Sequence, residues 1–114
     1  MELKQLCIDA HAISLEKGWY NPPPTIEGRL ILMHSEISEA VEEYRNGERL
    51  DAIRYDPSQG AGLGKPEGIP IELADIIIRV ADFCGWAQID LEKAVAMKME
   101  YNRTREYRHG GKAL

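Results

Sequence analysis

Between Pro70 and Cys84 the chain is apolar around most of a helical circumference, with Ile71, Leu73, Ile76, Ile77, Ile78, Val80 and Phe83 spread over every side. A helix with so little polar surface has to be surrounded by other structure. The chain has 114 residues, enough for one ordinary domain spanning 1–114. An antiparallel bundle of that size has too few other helices to cover this one on all sides, so part of its surface is expected to meet another copy. The segment therefore predicts a central helix in a homo-oligomer, a tetramer before a dimer.

The remaining segments fit an all-α, four-helix bundle-like fold. Leu3, Leu6, Cys7, Ala10 and Ile13 recur at helical spacing from Glu2 to Lys17, and Gly18 offers a stop. Three prolines, Pro22 to Pro24, force an extended connection, after which Thr25 can cap a second helix from Ile26 to Arg45. That helix carries Ile26, Leu30, Met33, Ile37, Ala40, Val41 and Tyr44 along one side, and Asn46-Gly47 ends it. Residues 47–70 are polar and glycine-rich and read as a long loop, with no β-alternation of useful length. A fourth helix starts at Asp90 and reaches Arg105 or Arg108, and Gly110-Gly111-Lys112 reads as a tail. Trp86 is expected to pack between the third and fourth helices.

Charge narrows the choice of partner. Nineteen acidic residues against fourteen basic ones exclude a broad surface for nucleic acid polymer or anionic lipid. Cys7 and Cys84 lie within apolar helical patterns, which fits buried thiols in a reducing, cytoplasmic setting. No apolar run is long enough to cross a membrane, and the N-terminal residues do not resemble a secretory signal.

Within this frame two acidic pairs stand out: Glu36-x-x-Glu39 on the second helix and Glu72-x-x-Asp75 on the third. A spacing of three puts both members on one helix edge, and both pairs border apolar faces, where a solvated-surface explanation is weakest. Four facing carboxylates need cations or protons. An all-oxygen set suits Mg²⁺, with Mn²⁺ as a second choice, and Mg²⁺ in turn accepts phosphate oxygens. Glu42 points outward, and Glu43 either joins the site or is solvated. Asp82 is a further possible ligand, although Arg79 lies within reach of an ordinary helix salt bridge. Di-iron chemistry needs two Glu-x-x-His motifs, and only Glu106 to His109 fits.

On the fourth helix Leu91, Ala94 and Val95 set an inward face that Lys98, Asn102 and Arg105 continue. Such residues can bind phosphate oxygens or a sugar, or simply be solvated near a helix C-terminus. Trp19, at the mouth of the proline loop, is placed either to stack on a nucleobase or to pack.

Taken together these residues resemble the MazG-like branch of the all-α nucleoside-triphosphate pyrophosphohydrolase superfamily. The likeness rests on Glu36-x-x-Glu39 and Glu72-x-x-Asp75, the Gly18-Trp19 turn, Glu39-Ala40-Val41-Glu42, Lys65-Pro66-Glu67-Gly68, Tyr101 to Arg105, and His109 to Lys112. The segment from Ala40 to Ile71 is longer than the compact family pattern. The resemblance implies a Mg²⁺-dependent hydrolase that cleaves a (d)NTP between the α and β phosphates, giving monophosphate and pyrophosphate in nucleotide house-cleaning. Glu36, Glu39, Glu72 and Asp75 would be its catalytic and metal-binding residues. Lys98, Asn102, Arg105 and Trp19 would contact substrate, and dimers or dimers of dimers would share composite sites. The rival expectation is a non-catalytic helical oligomer that binds a nucleotide or a protein partner.

Overall fold

The computed structural model describes residues 1–113. The chain is mostly helical: α1 (Leu3–Glu16), α2 (Ile26–Arg45), α3 (Ile69–Ala87) and α4 (Leu91–Thr104), with a short helical turn, α5 (Arg108–Gly111), in the tail. Two helix starts follow their sequence signals. The Thr25 hydroxyl accepts from the Gly28 amide at 3.0 Å, and the Asp90 carboxylate accepts from the Lys93 amide at 3.0 Å.

Both α1 and α2 pack on α3, as its apolar circumference requires. The α1–α3 contact is close. Ala81 is completely buried, and Cys7, Ala10 and Cys84 complete a small core flanked by Leu6, Val80 and Leu91. Both cysteines are free buried thiols, raised in pKa chiefly by burial. The helix runs three residues past the expected end at Cys84 because Gly85 serves as a packing residue and not as a stop. A Cβ there would come within 2.6 Å of the Cys7 carbonyl oxygen and 2.7 Å of the His11 Cβ. Gln88, in the left-handed region at φ 56°, ends α3 instead.

Trp86 does not sit between α3 and α4. Its ring lies 5.5 Å from that of Tyr20, in the α1–α2 connection, and 5.9 Å from that of Phe83. The fourth helix leans on α1, and Ala94 and Val95, expected to face inward, are exposed.

The second helix departs most from its expected orientation. Its withdrawn side chains beyond Gly28 are Arg29, Met33, Glu36, Ala40 and Glu43, spaced 4, 3, 4 and 3, so that Met33 and Ala40 of the expected inward stripe face in whereas Leu30, Ile37, Val41 and Tyr44 are exposed. A polar seam has won over an apolar one, because α3 offers charged partners along its facing edge. The chain is also expanded, with a radius of gyration of 16.9 Å against about 13 Å for a compact domain of this length.

The long connection is not structureless. β1 (Arg54–Asp56) and β2 (Lys65–Glu67) pair antiparallel, Arg54 opposite Glu67 and Asp56 opposite Lys65. Strands of three residues, one of them with Pro66 at its centre, carry no period-2 signal, so the hairpin is invisible to pattern reading. Gly68, at φ 129°, ties its base to the start of α3; a Cβ there would lie 2.3 Å from the Ala52 carbonyl oxygen. Among the described residues no helix is long and apolar enough to cross a membrane.

Candidate metal centre

The charged residues of α3 fall at 72, 75, 79 and 82, in steps of 3, 4 and 3, which draw one stripe along an otherwise apolar helix. This stripe meets the polar face of α2 with the chains antiparallel. Arg29 reaches Asp82 at 3.2 Å, Glu36 accepts from the Arg79 Nε at 2.5 Å, and Glu39 lies beside Glu72.

At the Glu39 end the seam is acidic. Glu36, Glu39 and Glu72 bring carboxylate oxygens within 4.8 Å of one another. Glu36 is only 5% exposed, Glu72 is half-buried and Glu39 is open to solvent. One oxygen of Glu72, Oε2, is buried without a hydrogen-bond partner. The Glu72 carboxyl is pushed up to about 7, first by burial, then by a hydrogen bond shared with Glu39, and then by the charges of Glu39, Asp75 and Glu36. Asp75 stands outside the trio, yet it borders the same cavity as Glu36. Its pKa is also raised, by burial and then Glu36, with Arg79 and Lys65 pulling the other way.

This donor set fits a hard divalent cation. It is made of carboxylate oxygens alone, it includes an unpartnered buried lone pair, and it carries more negative charge than its single hydrogen-bonded arginine offsets. Histidine and cysteine, the signature of zinc, take no part in it.

A cavity of about 560 Å³ opens beside Glu36 and Asp75, while Glu39 and Glu72 are not part of its wall; its size suits a small organic ligand. Its wall includes Trp19, Arg29, Leu32, Glu36, Asp75 and Arg79. Trp19 is 69% exposed, so it is available at the rim and is not core packing. Arg29 is fixed there: it donates to Asp82 and to the Trp19 carbonyl at 3.3 Å, and it lies 4.2 Å over the Tyr20 ring.

Two expectations are corrected at this seam. Asp82 pairs with Arg29 and not with Arg79, because Arg79 turns to Glu36 across the helix interface. It also stands apart from the acidic trio. At 3% exposure its carboxylate accepts from His11 Nδ1 (3.1 Å), Ser14 Oγ (2.9 Å), Tyr20 OH (2.8 Å) and Arg29 Nη1 (3.2 Å). Tyr20 is correspondingly harder to ionise, through burial and then Asp82. Glu43 does not join the acidic trio, since Arg54 of β1 holds it at 3.0 Å; Glu42 pairs outward with Arg45 at 3.1 Å.

The basic residues of α4 do not reach the site within one chain. Lys98 and Asn102 are exposed, and the cavity wall contains no α4 residue. Lys98 Nζ and the Arg105 guanidinium instead lie 4.9 and 5.4 Å from the Tyr101 ring centroid. The helix follows α1, whereas the carboxylates sit on the α2–α3 seam.

The sequence pattern did not single out Arg29, His11 or Ser14, and it offered neither Arg79 as the partner of Glu36 nor Tyr20 as a partner of Asp82. The unbroken 3-4-3 stripe of charge on α3, matched by Arg29 and Glu36 seven apart on α2, was the available signal. Compared with protein-family models, with curated proteins and with solved structures, the chain finds no match.

Proposed function

We propose that this chain is a Mg²⁺-dependent nucleoside-triphosphate pyrophosphohydrolase. The observation that carries the reading is the carboxylate cluster of Glu36, Glu39 and Glu72, with a buried oxygen lacking a hydrogen-bond partner, whose Glu36 also lines a ligand-sized cavity together with Asp75. The choice of the α–β phosphoanhydride comes from the resemblance of the two acidic motifs and their flanking segments to the MazG-like family. Bound Mg²⁺ would supply charge to offset the triphosphate and to polarise the phosphorus under attack. Glu36, Glu39, Glu72 and Asp75 hold it, and Glu39, the most open of the trio, orients the attacking water. Trp19 at the rim offers its ring to the base, and the fixed Arg29 shapes the cavity floor.

The working form in this reading is a homo-oligomer with a four-helix, MazG-type arrangement completed between copies. Two features support it: the exposed Leu30, Ile37, Val41 and Tyr44 stripe of α2, and the expanded single chain. A second copy would also bring Lys98, Asn102 and Arg105 to phosphates that they do not approach in their own chain. Light scattering on the wild type and on Val41→Glu tests this: an assembly is expected for the first, and a shift to monomer for the second.

The activity test is a panel of ordinary and modified (d)NTPs, with Mg²⁺ or with a chelator, read out as monophosphate and pyrophosphate. Metal-dependent release of both is expected. Binding without release of either product from any member of the panel would sink the enzymatic reading in favour of a nucleotide-binding oligomer.

A further inference from the structure

The two arginines of the α2–α3 seam are held in very different ways. Arg29 is anchored by two hydrogen bonds and by the face of Tyr20, and its side chain is 11% exposed. Arg79 has a single hydrogen bond, from Nε to Glu36, a side chain 35% exposed, and a place on the cavity wall. Its carboxylate partner is the most buried member of the acidic trio. Among the described residues Arg79 is also the only cation hydrogen-bonded to any of the four motif carboxylates.

We propose that Arg79 is a resident counter-cation of Glu36 that yields to the divalent ion: it occupies Glu36 before the ion binds and turns into the cavity afterwards, there to meet an anionic ligand.

The inference rests on the metal-centre reading and adds a direction to it. A carboxylate this buried is costly without a cation beside it, and the Arg79 guanidinium fills that need within the seam. When a divalent ion shares the Glu36 oxygens, the guanidinium is repelled at short range and loses most of its attraction to a carboxylate that is now neutralised. Arg79 has the means to leave. Its stem is long and flexible, it has no second anchor, and the adjoining space is a cavity and not packed protein. Once released, it presents a planar donor set suited to phosphate or carboxylate oxygens beside the ion. Arg29, the other guanidinium of the wall, is held by Asp82 and the Trp19 carbonyl, so Arg79 is the wall cation that the ion sets free, which favours ion binding first and anion binding second.

A helix staple and an exchanging cation differ in the sign of one measurement. Arg79→Gln keeps a hydrogen-bond donor for Glu36 while removing the charge, and Arg79→Met removes both. In calorimetric titration of the full chain at pH 8, Mn²⁺ should bind both variants more tightly than wild type, by about fivefold, the equivalent of one modest ion pair. An α,β-methylene triphosphate added to Mn²⁺-saturated protein should bind both variants about tenfold more weakly. If either variant is too unstable for titration, thermal melting gives the same sign, because Mn²⁺ should raise its midpoint more than that of wild type. Mn²⁺ binding that is unchanged or weaker in both variants, with wild type binding normally, overturns the exchange and leaves the metal centre standing. Failure of wild type itself to bind Mn²⁺ removes the centre and the exchange together.

Discussion

Two groups of buried acid lie along the same stripe of α3, and they are built on opposite plans. Asp82 is satisfied by four donors from α1, the α1–α2 connection and α2, one of them a guanidinium. Nearly three turns earlier Glu72 keeps a buried oxygen, Oε2, without a hydrogen-bond partner and faces Glu39, Glu36 and Asp75, all of its own sign. A carboxylate with four donors joins elements together. A carboxylate pressed against three others loses stability unless a proton or a cation relieves the repulsion. The contrast separates an acid saturated with donors from acids left to repel one another.

The contrast breaks most severely if the acidic cluster proves structural. Glu39→Gln or Asp75→Asn is expected to cut turnover at least about 100-fold, with a melting midpoint equal to or above that of wild type, since a like charge has been removed. Retained hydrolysis would take that residue out of the mechanism, and lost folding would erase the distinction between the two groups. The opposite pattern is expected of the hub. Asp82→Ala should destabilise the protein by about 3–5 kcal/mol, the usual cost of leaving a buried partner such as Arg29 uncompensated, as read by chemical denaturation. A loss under 1 kcal/mol, or a specific loss of Mn²⁺ affinity at unchanged stability, would move Asp82 to the binding group.

The smaller effect concerns pH and sharpens the comparison. The Glu72 carboxyl has a folded value of about 7 against an ordinary 4.5, so the folded state holds the proton more tightly than the unfolded chain does. Its stabilising contribution is complete below about pH 4.5 and is lost as pH rises towards about 7, a cost of about 2 kcal/mol after allowance for partial exposure. Metal-free protein should therefore lose stability across that window, and Glu72→Gln should flatten the loss. Mn²⁺ should restore it in wild type and displace more protons at pH 6 than at pH 8. A pH–stability curve of the same shape for wild type and Glu72→Gln would show that the cluster's repulsion is relieved by other means.

The two plans were unequally visible in the residues themselves. Glu36, Glu39, Glu72 and Asp75 announce their common edges because a spacing of three on a helix leaves no freedom in where the side chains emerge. Asp82 has the same spacing from Arg79, and local reasoning pairs them; the structure gives Asp82 to Arg29, 53 residues away in sequence. Nothing in a one-dimensional pattern distinguishes a neighbour one turn away from one across an interface. The α2 stripe misled for a related reason. Periodicity identifies Leu30, Ile37 and Val41 as an apolar face, and the usual inference turns such a face to the nearest core. Here α3 attracts the polar face instead, leaving the apolar one exposed.

From the sequence alone came the helical class, the limits of α2, both side-chain caps, the central standing of α3 and the two acidic edges. Each depends on interactions within about four residues, where helical geometry dictates the outcome. The tertiary structure alone decided which face of α2 meets α3, that Arg79 belongs to Glu36 and Arg29 to Asp82, that Gly85 admits α1, and that a hairpin organises the long connection. Those outcomes turn on which of several compatible surfaces come together. That choice is settled by the summed energy of contacts distant in sequence, to which local periodicity is blind.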